Sequence, residues 1–191
     1  MPNLYIISGC NGAGKTTASF TVLPEMLDCQ EFVNADEIAR GLSPFQPEKV
    51  AIEAGRIMLH RIEELLNKKT DFALETTLAT RSYAQTIKKA KQVGYHINLV
   101  YFWLNSPELA IARVKKRVAE GGHHIPEDVI KRRYTRGIDN LFKLFLPICD
   151  FWMVIDNSQT PYSIVAERQE EQEVNIQDKE VWEKLKTLSH G

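Results

Sequence analysis

The stretch that decides the reading is Gly9-Cys10-Asn11-Gly12-Ala13-Gly14-Lys15-Thr16, which fits G-x-x-x-x-G-K-[ST] without departure. Glycines let the backbone curl so that successive N–H groups converge on phosphate oxygens, and a following helix N-terminus adds the positive end of its dipole. Lys15 is placed for the β- and γ-phosphates and the Thr16 hydroxyl for Mg²⁺. Leu4–Ser8 reads as a buried strand before the loop, and Thr16–Leu27 shows helical spacing after it. Strand, loop and helix are the context the motif needs. Gly9 to Thr16, with Thr17, are therefore expected to bind the phosphates of a nucleotide.

Outward from the loop, short apolar runs at Glu31–Asn34, Phe72–Glu75, Ile97–Leu104 and Phe151–Ile155 read as further strands. Pro47–Leu66 carries a helical stripe of Val50, Ala54, Ile57, Met58, Ile62, Leu65 and Leu66; Ser82–Val93 and Pro107–Arg117 follow. Strands alternating with helices imply right-handed βαβ crossovers and a parallel sheet covered on both faces. Ser106 can cap the helix that Pro107 opens, and Pro126-Glu127-Asp128 opens another running into Lys131-Arg132-Arg133. Past Ile155, Ser163–Gln169 and Glu173–Gln177 are expected as a hairpin and Lys179–Leu188 as a helix. Residues 1–158 would then be the nucleotide-binding domain, with 159–191 an appendage packed on it.

Composition bounds the rest. With 191 residues, 43% hydrophobic and 26% charged, the chain suits one well-filled α/β domain rather than a disordered or fibrous one. A net charge of −1 removes the simplest argument for nucleic-acid binding. That total hides structure: residues 113–136 hold eight bases against three acids, and residues 167–183 seven acids against two bases. Cys10, Cys29 and Cys149 are odd in number and widely spaced, which speaks against disulfides or a zinc site and for a reducing compartment. No apolar run approaches a membrane span of roughly 20 residues, and the N-terminal apolar run has no basic region before it. A cytoplasmic protein is expected.

The loop fixes nucleotide binding but not the reaction. Asn67-Lys68-Lys69-Thr70 lacks the Asp of a guanine-recognition motif, and Leu42-Ser43-Pro44-Phe45-Gln46 is no transporter-ATPase signature. A small-kinase pattern remains. Three acids end apolar strands, Asp36, Glu75 and Asp156, where the ligands of a parallel sheet collect. Glu75 is expected beside the Mg²⁺ water shell, with Thr16 as the other metal-side residue. Asp36 is expected to receive the acceptor hydroxyl proton; an aspartate is too weak a base to deprotonate a free alcohol outright, so its part is alignment and late proton uptake. Arg40, Thr76 and Thr77 complete the expected acceptor side. Asp156 reads as part of a loop near the adenine, with Asn157 touching the nucleotide and Ser158 beside it.

The basic stretch reads as a lid. Phosphoryl transfer spreads negative charge over the equatorial oxygens, and arginines on a closing element stabilise it and exclude water. Arg117 is the first choice and Arg113 the second, both on one helix face; Arg133 or Arg136 would return from the other limb. Gly121-Gly122 supplies a hinge, and His123 and His124 read as loop residues facing phosphate or water.

Val33-Asn34-Ala35-Asp36, Leu74-Glu75-Thr76-Thr77, Arg113…Arg117 and Gly121-Gly122-His123-His124-Ile125-Pro126-Glu127-Asp128 together resemble the zeta-toxin-like P-loop kinases, in particular their short stand-alone branch. The resemblance covers about residues 4–158. It implies an adenylate-kinase-like five-stranded parallel sheet in the order 2-3-1-4-5, ATP and Mg²⁺ as donor and cofactor, and phosphorylation of a UDP-N-acetylamino-sugar. It also implies that Lys15 is the loop lysine, Asp36 the acceptor-activating aspartate and Arg113 or Arg117 the first lid arginine. An antitoxin protein would be a partner if the chain is a true toxin. Two positions depart: a second lid arginine is replaced by Gly122-His123, and a sugar-contacting Glu aligns near Leu59-His60. Besides a small-molecule kinase, a polynucleotide or tRNA kinase and a non-catalytic nucleotide-dependent switch stay open; scarce aromatics in the basic stretch, Tyr134 alone, weigh against the nucleic-acid reading.

Overall fold

A computed structural model describes residues 1–122, 124–170 and 172–189. The chain runs β1 (Asn3–Gly9), α1 (Lys15–Met26), β2 (Phe32–Val33), α2 (Ala35–Leu42), a 3₁₀ turn (Pro47–Val50) into α3 (Ala51–Lys68), and β3 (Phe72–Thr76). It continues with α4 (Ser82–Gln92), β4 (His96–Trp103), α5 (Pro107–Ala119), α6 (Glu127–Asn140), β5 (Phe151–Asp156), β6 (Ser163–Arg168), β7 (Asn175–Ile176) and α7 (Lys179–Leu188).

The sheet has seven strands in the order β2-β3-β1-β4-β5-β6-β7. β1 to β5 are mutually parallel, in the order expected. The expected count of five strands is corrected: β6 pairs antiparallel with β5, and β7 antiparallel with β6. The expected hairpin at 163–177 forms, and its first strand extends the main sheet by covering the open edge of β5. The reason lies in burial. Val165 and Ala166 are fully buried, and α7 seals the same end by stacking Trp182 on Trp152, with ring centroids 5.6 Å apart. A capped edge also removes a row of free N–H and C=O groups that would otherwise template association.

β1 lies at the centre of the five parallel strands and is buried along nearly all its length: Leu4, Ile6 and Ile7 are sealed between β3 and β4. Register then fixes the functional edge. Ile7 sits opposite Glu75 and Ser8 opposite Thr76 on one side, while Gly9 sits opposite Phe102 on the other. A Cβ on Gly9 would lie 2.2 Å from the Phe102 carbonyl oxygen, and its φ is +141°. Only glycine lets the chain leave the sheet here and turn into the phosphate loop.

One element escaped the sequence reading. Residues 35–42 form α2, capped by Asn34, whose side-chain oxygen accepts from the N–H groups of Asp36 (2.8 Å) and Glu37 (3.4 Å). Asp36 therefore stands in the first turn of a helix rather than at a bare strand end. No helix among the described residues is long and apolar enough to cross a membrane. Cys10, Cys29 and Cys149 are free and buried; burial pushes their thiols up to about 11, 11 and 12. None is a thiolate nucleophile near neutral pH.

Candidate active site

The loop from Gly9 to Thr16 wraps the end of β1 and delivers Lys15 as the first residue of α1. Lys15 is almost fully buried. Its Nζ donates to the Cys10 carbonyl (3.0 Å) and lies 3.5 Å from Glu75 Oε1. Glu75 is the hub of this corner: its Oε2 also accepts from Thr16 Oγ1 (2.7 Å) and Asn34 Nδ2 (2.9 Å). Thr17 is exposed on the next position of the helix.

Three adjoining clefts open from there. The inner one, about 170 Å³, is walled by Asn11, Lys15, Asn34, Asp36, Glu75, Thr76, Thr77, Thr80, Tyr83 and Arg133. Asp36 and Arg133 also wall the middle cleft, about 360 Å³, with Glu48, His124 and an apolar floor that includes Ala39, Ile125 and Val129. The outer cleft, about 580 Å³, shares Glu48 and His124 and adds Arg40, Phe45, Gly121 and Gly122. Asp36 thus stands where the inner and middle clefts share a wall. The inner cleft carries the phosphate-loop lysine, whereas the outer space is large enough for an acceptor bigger than one sugar ring.

The arginines of the basic stretch divide their tasks. Arg133 is the one that walls both inner clefts, and its Nη1 donates to Asn11 Oδ1 in the phosphate loop (3.2 Å). Arg113 donates to the Ser158 carbonyl (3.1 Å), on the loop that follows β5. Arg117 has Nε and Nη2 buried with no hydrogen-bond partner among the described residues. Arg117 itself walls none of these three clefts, and its side chain lies against Gly122. Arg136 is exposed and walls none of these three clefts. His123 lies outside the described residues, and His124 is exposed beside the middle and outer clefts. The outer faces of α5 and α6 are not a continuous basic track: Lys115 pairs with Glu127 (2.7 Å), and Lys131 with Glu108 (4.0 Å).

Other expected site residues fall into place with different neighbours. Asn157 donates to the Ala13 carbonyl (2.9 Å), so it braces the phosphate loop. Asp156 caps the turn behind it by accepting from the Ser158 N–H (2.8 Å) and hydroxyl. Thr76 Oγ1 accepts from the Leu78 N–H (3.1 Å), while Thr77 faces the inner cleft. Arg40 pairs loosely with Glu37 at 3.3 Å on the rim. Leu59 and His60 wall a separate cleft between α3 and α4, away from Asp36. Sequence reasoning passed over Asn34, Glu48, Thr80 and Tyr83. Asn34 alone carried a signal, as a helix cap three residues before Glu37.

Thr16 and Glu75 also answer whether the corner suits Mg²⁺. Among the described residues no three His, Cys, Asp or Glu side chains gather into a protein-only metal cage. A hydroxyl and one carboxylate 2.7 Å apart are instead the sparse oxygen set with which Mg²⁺ is held when phosphates and water supply the remainder.

Residues 1–160 match the sequence pattern of the family described as Zeta toxin. An uncharacterized protein of Haemophilus influenzae is 36% identical over 127 residues, covering 66% of this chain and 88% of that protein. Among solved structures, the AvrRxo1-ORF1:-ORF2 complex with ATP superposes with a TM-score of 0.75 at 17% identity over 97% of this chain. This chain spans 63% of that neighbour's length. The PezAT toxin–antitoxin system of Streptococcus pneumoniae gives 0.64 at 17% identity, over 100% of this chain and 86% of that one. Shikimate kinase from Acinetobacter baumannii gives 0.52 at 19%, over 83% and 85%. At such identities the solved structures establish a shared P-loop kinase-like fold.

Proposed function

This chain belongs to the zeta toxin family, and we propose that it transfers the γ-phosphoryl group of ATP to a hydroxyl of a small-molecule acceptor, with a UDP-N-acetylamino-sugar as the acceptor to try first. One observation carries the reading: Lys15, Glu75, Asp36 and Arg133 wall a single cleft. Donor-side and acceptor-side groups thus line the same small cleft. The AvrRxo1-ORF1:-ORF2 neighbour was solved with ATP, which supports ATP as the donor.

In the reaction, the acceptor oxygen attacks the γ-phosphorus, the bond to the bridging oxygen of ADP breaks, and the hydroxyl proton passes to the Asp36 carboxylate. Asp36 aligns the hydroxyl first and takes the proton late, as a loose transition state allows. Lys15 offsets charge on the β- and γ-phosphates, and Arg133 reaches the equatorial oxygens from the α6 side while tied to Asn11. Thr16 and Glu75 would hold Mg²⁺, which would supply charge neutralisation at the phosphates. The PezAT neighbour comes from a toxin–antitoxin system, and an antitoxin-like protein partner belongs to the same proposal.

The test is steady-state transfer from γ-labelled ATP to UDP-N-acetylglucosamine with Mg²⁺, with mass spectrometry of the product. A singly phosphorylated acceptor formed one-for-one with ADP is the expected result; ADP and inorganic phosphate alone would remove this acceptor. Arg133→Ala should lower kcat by about 10²–10³-fold, as loss of one transition-state donor does. Arg136→Ala, on an exposed position of the same helix, should leave kcat unchanged. Equal losses in the two variants would remove Arg133 from its assigned place.

A further inference from the structure

Leu78, just after β3, has φ +56°, a left-handed backbone that a leucine does not adopt unaided, and it is fully buried. Two buried contacts hold it. Its N–H donates to Thr76 Oγ1 at 3.1 Å, and its carbonyl accepts from Asn140 Nδ2 at 2.7 Å. One turn before Asn140, Gly137 meets the Thr77 carbonyl so closely that a Cβ would stand 2.7 Å from that oxygen. Neither Gly137 nor Asn140 walls the clefts around Asp36.

We propose that Gly137 and Asn140 are positioning residues: through the Thr77 carbonyl and the Leu78 carbonyl they clamp the turn after β3, and so set Thr77 at the wall of the inner cleft, beside Asp36. Positions 133, 137 and 140 are spaced i, i+4, i+7 and share one face of α6. At the first of them Arg133 reaches Asn11 of the phosphate loop; at the last Asn140 holds the acceptor-side turn. Seven residues of helix span about 10 Å. One rigid helix therefore fixes the separation between the donor loop and the acceptor turn. Tyr134 keeps that helix in place, since its hydroxyl donates to the Leu104 carbonyl (2.7 Å) and accepts from Trp103 Nε1 (3.1 Å). On this view α6 is a fixed rail. The clamp rests on the kinase reading only for its consequence for the acceptor, not for its geometry.

The experiment uses Asn140→Ala and Gly137→Ala, two variants that attack the turn from different directions. Hydrogen exchange across residues 76–81 should accelerate in both, with the loop at 9–16 unchanged. Transfer to UDP-N-acetylglucosamine should show a raised acceptor KM and kcat/KM lower by about 10–100-fold, with ATP affinity unaltered. In a Leu78→Gly background, where a left-handed backbone needs no clamp, adding Asn140→Ala should cost little more. Unchanged exchange at 76–81 in both variants overturns the proposal, and so does a loosened turn with normal acceptor kinetics. If the wild-type protein phosphorylates no acceptor, the kinase reading falls, and the clamp is then decided by the exchange data alone.

Discussion

Lys15→Met is expected to reduce phosphoryl transfer by about 10³-fold or more while leaving the fold intact. The lysine stem is buried at the start of α1, and methionine fills nearly the same volume with no charge. Two interactions disappear, the bond to the Cys10 carbonyl and the ion pair with Glu75. Glu75 keeps Thr16 and Asn34 as partners, so its carboxylate is not stranded. What nothing replaces is a positive charge beside the β- and γ-phosphates, in a corner where water contributes little screening. Single-turnover transfer from γ-labelled ATP, run beside a thermal melt, separates the two effects. A rate within tenfold of wild type would show that the loop is not the donor site.

Asp36→Asn is expected to lower kcat by about 10²–10⁴-fold with ATP affinity preserved. The substitution keeps shape and removes only the capacity to accept a proton. The helix cap survives, because Asp36 is held there by its backbone N–H bonded to Asn34 Oδ1, not by its carboxylate. The Asp36 carboxylate forms no hydrogen bond or ion pair with Lys15, Cys10 or Glu75, so nucleotide binding should not feel the change. Titration of a fluorescent ATP analogue gives the affinity and the labelled transfer assay gives the rate. A fall in both together would mark Asp36 as a structural residue of α2. A nucleotide-dependent switch without catalysis would tolerate this substitution in full.

How much of this was legible in the sequence depends on the range of the interaction. The phosphate loop is local: eight consecutive residues, a strand before and a helix after. The parallel core followed from apolar runs separated by helical spacing. α2 was missed although Ala35, Ile38, Ala39 and Leu42 have helical spacing behind an Asn cap; Asp36 read too easily as the end of a strand. The seventh and sixth strands were read as an appendage because sequence shows a hairpin but not which sheet edge it meets. Arg133 ranked behind Arg117 and Arg113 because its partner Asn11 lies 122 residues away. The same holds for Asn140 and Leu78, 62 residues apart, where neither residue type is unusual and only the backbone angle marks the spot. The helices on either side of Gly121-Gly122 emerged as expected, yet α6 is anchored by Tyr134 and Asn140, which a count of its basic residues could not show.

The most direct measurement is to incubate the protein with γ-labelled ATP, Mg²⁺ and a cell metabolite extract, and to find where the label goes. Phosphoryl transfer across the Lys15–Asp36 cleft puts it into a small-molecule phosphomonoester, one per ADP formed, and Asp36→Asn abolishes that product. Label recovered in RNA, or only as inorganic phosphate, or in equal yield from the Asp36→Asn protein, would contradict it.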